Sequence, residues 1–339
     1  MKRSVVIAVV LLAVLLVAAL GLRALLGSLG EEPAREALEK PEEEAPAAGA
    51  AEKGTLAMDE LAEEESSEEV AVDEPVEAEA PTIEVPVDED LAEKMALEQS
   101  PRIADLGDMW VRPADGMTMV FVPAGSFPMG SEDGSADEQP VHDVTLEAFW
   151  IDQTEVSNAQ YERCVSEGSC EPSDYATDDW FNGDAYPVVG VDWYDADAYC
   201  AWAKAQLPTE AQREYAARGS EGNRYPWGDA APTCDLAQFD GCDGDTIPVG
   251  SLPDGASWVG AFDMSGNVWE WVSDWYDPEY YETSPAENPE GPVNGDFKVL
   301  RGGSLHNDAA TQLGADRNYL YPDSRINGLG FRCSIALVR

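Results

Sequence analysis

A chain of 339 residues, 44% of them apolar, can hold one sizeable folded domain or two small ones. Its formal net charge of -47 sets up a field that repels nucleic acid and anionic lipid headgroups, so both are poor partners. Cations suit that field, as screening ions or at specific sites. The charge is not confined to a tail: residues 27–104 carry 25 acidic and 5 basic side chains, a net of -20, and residues 105–339 carry 42 and 12, a net of -30.

Lys2 and Arg3 precede Ser4–Leu22, an uncharged run of 19 residues. That length crosses a bilayer as a helix, and the positive charge on its N-terminal side orients the remainder outward. Residues 1–26 are therefore expected to be a membrane anchor. A cleaved signal peptide competes through Ala18-Ala19, in which case the protein is secreted. No cysteine follows the run, which excludes a lipoprotein anchor. Both readings place the domain outside the cytoplasm, in a periplasm or at the cell surface.

Residues 27–104 are rich in Glu, Ala and Pro and have no aromatic residue. Such a segment cannot offset its ordering entropy by burial. It is expected to be a disordered, self-repelling tether, or else a cation- or partner-binding tail. Beyond Met109-Trp110 the composition changes, and residues 105–339 read as one domain holding all 10 Trp and all 6 Cys. Residues 119–123 and 141–149 read as strands. Ser157 caps a helix running to about Ser166, and Asp192 caps a second, with Tyr199 and Trp202 on one face. Thr209-Glu210-Ala211-Gln212 forms a capping box for a third helix, which Gly219 ends. From Tyr225 onward Gly, Pro and Asn recur every few residues, favouring irregular structure over a layered α/β sheet.

An even number of cysteines in an exported chain suggests disulfides. Cys164 and Cys170 flank one short loop and Cys234 and Cys242 another, which leaves Cys200 to pair with Cys333. Zinc is the alternative, but there is no Cys-x-x-Cys, and only His142 and His306 could assist.

Several phrases occur in order: Pro123-Ala124-Gly125-Ser126-Phe127, Thr154-Glu155-Val156-Ser157-Asn158, Leu207-Pro208-Thr209-Glu210-Ala211, Tyr225-Pro226-Trp227-Gly228, Asp263-Met264-Ser265-Gly266-Asn267-Val268-Trp269-Glu270-Trp271, Leu300-Arg301-Gly302-Gly303-Ser304 and Gly328-Leu329-Gly330-Phe331-Arg332. The ordered set resembles the formylglycine-generating enzyme, or sulfatase-modifying factor, family over nearly all of residues 110–339. The resemblance implies an α+β, loop-rich, C-type-lectin-like fold with disulfides and calcium sites. Calcium favours oxygen ligands. Family calcium positions map onto Asp263, Gly266, Val268 and Glu270, and a second set onto Asp235, Leu236 and Asp243.

The resemblance also implies two cysteines between Arg-Gly-Gly-Ser and Gly-Phe-Arg, whose thiolates hold Cu(I), a soft metal. Here that segment has no cysteine, and Asn307 and Gln312 stand at about the positions of the pair. Copper-dependent oxidation is therefore not expected. His306, Asp308, Asp316 and His142 are candidate ligands for iron or zinc. Arg301 and Arg332 are expected to hold carboxylates or carbonyls within the fold. Three readings follow. The first is a binding module whose Leu305–Tyr321 loops, with Arg301, Ser304, His306, Asn307, Gln312 and Arg317, take a peptide, glycan or protein. The second is an oxidative maturation enzyme using different chemistry, and the third is a structural role.

Overall fold

The computed structural model describes residues 104–337 except Asp243. The anchor and nearly all of the tether lie outside the described residues. In chain order come β1 (Met109–Val111), β2 (Thr118–Val122), β3 (Gly125–Met129), β4 (His142–Leu146), β5 (Phe149–Asp152), and helices α1 (Asn158–Ser166), α2 (Trp193–Trp202) and α3 (Glu210–Arg218). Then follow β6 (Trp269–Trp275), β7 (Lys298–Arg301), β8 (Arg317–Leu320), β9 (Leu329–Phe331) and β10 (Ser334–Ala336). No helix among the described residues is long and apolar enough to cross a membrane.

Strand alternation builds the centre. β1, β2, β5 and β10 form an antiparallel sheet in that order. Side chains two apart share a face, so Val120, Val122, Phe149 and Ile151 enter one core with Phe127 and Tyr215 of α3. Met119, Phe121 and Trp150 enter another, with Tyr199, Trp271 and Phe331. One sheet thus separates two apolar cores. Arg112 is buried beside it, held by Asp115 and Asp152, and the Tyr199 hydroxyl donates to Asp115 at 2.8 Å.

The three helices start where the caps predict. Ser157 with Gln160, Asp192 with Asp195, and Thr209 with Gln212 each form a capping box, and Gly219 at φ 69° ends α3. Two sequence expectations need correction. The strand expected over 141–149 is two strands in different sheets, β4 paired with β3 and β5 with β2 and β10. The chain turns at Glu147, whose N–H donates to the Asn288 side chain at 2.8 Å. The region after Tyr225 is loop-rich but also contains a four-stranded sheet ordered β8-β7-β6-β9, with β6 and β9 parallel. Short strands joined by long excursions carry too little local pattern to be read from sequence.

The disulfides are Cys164–Cys170, Cys200–Cys333 and Cys234–Cys242, as the spacing predicts. The middle one fastens α2 to the segment between β9 and β10, so the last strands cannot leave the first half of the domain.

Candidate functional site

α3 is enclosed by the rest of the fold, and its charged residues are buried with it. Glu210, Arg213, Glu214 and Arg218 are all at most 7% exposed. A buried charge demands a partner, and each has one. Arg213 meets Glu270 of β6 through Nε at 3.1 Å and Nη2 at 2.9 Å. Arg332, just after β9, meets the same carboxylate through Nε at 2.7 Å and Nη2 at 2.8 Å. Burial alone would raise the Glu270 carboxyl, but Arg213 and Arg332 outweigh it and hold it below the usual carboxylate range. Arg332 also donates to the carbonyls of Asp152 and Phe262 at 3.1 and 3.0 Å.

The two acids of α3 are held in the same way. Arg317 of β8 grips Glu210 through Nε at 2.6 Å and Nη2 at 3.0 Å. Burial would raise Glu210, but Arg317 and then Arg301 pull it below its ordinary value. Glu214 is shared by Arg218 and Arg301, and Arg301 also donates to the carbonyls of Ala315 and Asp316, both at 2.6 Å. Arg301 and Arg332 therefore hold carboxylates and carbonyls within the fold, as expected from the sequence. Arg317 does the same, which withdraws it from any ligand surface.

Glu270 does not fit calcium in this arrangement, because both of its oxygens are occupied by guanidinium N–H groups. Asp263 lies close by, its carbonyl 3.5 Å from Arg332 Nη2, at φ 55° and with Oδ2 accepting from Gly250 N–H at 2.6 Å. Its neighbour is Glu155, fully buried, whose Oε1 accepts from Asn267 at 3.1 Å and whose Oε2 has no hydrogen-bond partner. Burial first, and then the Asp263 charge, push Glu155 well above the ordinary range, and burial raises Asp263 too. The acid beside Asp263 is thus Glu155 rather than Glu270. Gly266, at φ 84°, is pressed against the Gln238 carbonyl, where a Cβ would come within 2.3 Å. Val268 is buried beside Phe181 and Val189. Of the second set, Asp235 is exposed, the Leu236 carbonyl packs on Gly255, and Asp243 lies outside the described residues. No grouping of three or more His, Cys, Asp or Glu side chains suited to a metal exists among the described residues.

The segment where the family carries its thiols is closed by amides. Asn307 Oδ1 accepts from Ser304 N–H at 3.1 Å and from Ser304 Oγ at 2.9 Å. Gln312 is fully buried, and its Nε2 faces the carbonyls of Ser304, Asn307 and Asp308 at 3.3, 3.4 and 3.4 Å. Asp308 caps the short turn over Ala309–Thr311 through Ala310 N–H at 2.9 Å. All six cysteines are in disulfides, so none supplies a thiol from elsewhere.

The candidate metal ligands do not converge. His306 is exposed, with Nε2 at 3.3 Å from Asn327 Oδ1, whereas His142 turns Nδ1 to the Pro140 carbonyl at 3.1 Å and packs on Tyr281. Burial, with the Glu138 charge next, pushes the Asp316 carboxyl up to about 7. Of the expected binding residues, Arg301, Ser304, Gln312 and Arg317 are buried. His306 and half-buried Asn307 remain near solvent, and beyond them Tyr319, Tyr321 and Ile326 are the exposed large side chains of this region. Sequence reasoning assigned no role to Glu210, Arg213, Glu214, Arg218 or Glu155. The signal for the first four was four charges on one short capped helix; their partners Glu270, Arg301 and Arg317 arrive from elsewhere in the fold.

The family described as sulfatase-modifying factor enzyme 1-like domain matches residues 108–337. Serine/threonine-protein kinase Pkn1 of Chlamydia trachomatis is 37% identical over 239 residues, covering 64% of this chain and 38% of that protein. The chain thus spans well under half of the kinase's length. Formylglycine-generating enzyme of Streptomyces coelicolor is 36% identical over 287 residues, covering 66% of this chain and 90% of that enzyme. Among solved structures, PvdO from Pseudomonas aeruginosa superposes with a TM-score of 0.61 at 27% identity, covering 69% of this chain and 99% of that one. The ordered motifs, the disulfide-braced fold and these likenesses agree: the chain belongs to the sulfatase-modifying factor enzyme 1-like family.

Proposed function

We propose that the chain is an extracytoplasmic, membrane-tethered binding module on the sulfatase-modifying factor fold, with the oxidase site of the family closed. The observation that carries this reading is the Ser304–Gln312 segment. Asn307 and Gln312, where the family's copper-binding thiols are expected, are amides tied into their own loop. An amide supplies no thiolate, and the soft ligands that select Cu(I) are gone. Outward of this closed loop the surface offers polar and aromatic side chains suited to a peptide, glycan or protein ligand. Three disulfides and the uncharged run of 19 residues after Lys2 and Arg3 support the compartment.

The test is direct. The purified chain is loaded with Cu(I), incubated with a cysteine-containing sulfatase peptide, and the peptide is analysed by mass spectrometry. The thiol is expected to survive unchanged, and conversion to an aldehyde would overturn the reading in favour of an oxidative enzyme.

A further inference from the structure

Most of the positive charge of this domain is inside it. Of the eleven Lys and Arg among the described residues, seven are buried, and Arg325 is ringed by Asp174, Asp192 and Asp195. Arg163, Lys204 and Arg224 are exposed, but acids far outnumber them, so what faces water is strongly anionic.

Across part of that surface runs a row of aromatic rings. Tyr319, on β8, is 40% exposed and Tyr321, just beyond it, 57%. Tyr276 stacks on Tyr319 with centroids 3.9 Å apart, and Phe297 lies 5.0 Å from Tyr319 and 4.5 Å from Tyr321. The row is anchored from within. The Tyr276 hydroxyl donates to Asp137 at 2.8 Å, its N–H donates to the Phe297 carbonyl at 2.8 Å, and the Arg317 guanidinium lies 5.2 Å from its ring. Asp296 and Asp323, both exposed, adjoin Phe297 and Tyr321 in the chain. β8 is the outer strand of its sheet, with no further strand beside it among the described residues. The Tyr319 N–H there is met by the Asn318 side chain at 2.8 Å.

We propose that this aromatic row and the acids flanking it form a docking strip for an extended, Lys- or Arg-rich segment of a partner protein. The proposal rests on the binding-module reading and names its partner class. Charge selects the occupant. The chain's own acidic stretch, with a net of -20 over residues 27–104, is repelled, and so is a second copy of residues 105–339, at -30. A polyanion is repelled for the same reason. A neutral sugar could stack on the rings but would leave the flanking carboxylates unused. A basic segment engages both features: cation–π contact with the tyrosines and ion pairing with the acids.

The test uses the full chain and three probes read by fluorescence anisotropy: a labelled peptide of alternating Lys and Thr, its Glu/Thr counterpart, and a labelled neutral N-acetylglucosamine oligomer. The Lys/Thr peptide is expected to bind and the other two not. Tyr321→Ala, and Tyr319→Ala with it, weaken binding by about tenfold or more, whereas Tyr319→Phe with Tyr321→Phe retain it because the rings remain. Asp254→Asn, at an exposed acid in the short helical turn Pro253–Gly255, changes it by less than about twofold. Lys/Thr binding that ignores the tyrosines would overturn the strip in favour of diffuse electrostatics. Tyrosine-dependent binding of the neutral oligomer alone would overturn the partner class and leave the binding module standing. Binding of no probe would overturn both for this face.

Discussion

Arg332 lays Nε and Nη2 on the carboxylate of Glu270 at 2.7 and 2.8 Å, where Arg213 of α3 already donates at 3.1 and 2.9 Å. One buried acid thereby joins the central helix, a β-strand and the segment leading to the last strand. Glu270→Gln leaves two buried guanidinium groups without a carboxylate and is expected to cost about 3–5 kcal/mol. Denaturant unfolding measures it. Since the arginines already neutralise Glu270, a calcium chelator should shift the Tm of the wild type and of Glu270→Gln equally. A chelator-dependent fall in Tm that Glu270→Gln abolishes would return calcium to this carboxylate.

The Ser304–Gln312 loop gives a second contrast. Gln312→Ala removes a fully buried amide facing three backbone carbonyls and is expected to destabilise by about 1–3 kcal/mol. His306→Ala, exposed and touching only the rim, should stay within about 0.5 kcal/mol. Equal losses would mean that His306 is also part of the framework.

Asp274 sets a pH dependence. It is buried, accepts from Glu210 N–H at 2.8 Å, and burial followed by the Glu210 charge pushes its carboxyl up to about 7. The folded value lies above the unfolded one, so the native state binds the proton more tightly. Its contribution is fully present below the unfolded carboxylate range and is lost as pH rises through about 7. Asp274→Asn should therefore stabilise the domain at pH values above this window, on the order of 1–3 kcal/mol, and leave stability near the wild-type value at the acid end. Thermal melts across the window check it. A gain that is the same at every pH would refute the titration.

Cys200–Cys333 closes a loop with a sequence separation of 133. Replacing both cysteines with Ala should cost about 4–5 kcal/mol in the chain-entropy account, far more than the same change at Cys164 and Cys170, which enclose a separation of 6. Chemical denaturation of the two variants compares them.

How much of this the sequence could show depends on where the information sits. The helix starts were legible because a cap and its partner lie three residues apart, as in Thr209 and Gln212. The disulfides were legible because two of them are local and elimination gives the third. Glu270 was legible as a site residue but not in its role, since spacing cannot show that Arg213 and Arg332 arrive from separate elements on the same two oxygens. Glu155 was hidden for the same reason: its contact with Asp263 and Asn267 is made across the fold. Gln312 and Arg317 looked like ligand-facing residues because polar side chains in a polar loop are usually solvated, whereas here they close the interior.

The measurement closest to the central claim is the metal content of the full chain purified without added metal, paired with its oxidation of a cysteine peptide. A binding module with an amide-closed loop predicts copper and iron far below stoichiometric levels and an intact thiol. Copper or iron at a near-stoichiometric level, together with aldehyde on the peptide, would contradict the account and make the chain an oxidative enzyme of its family.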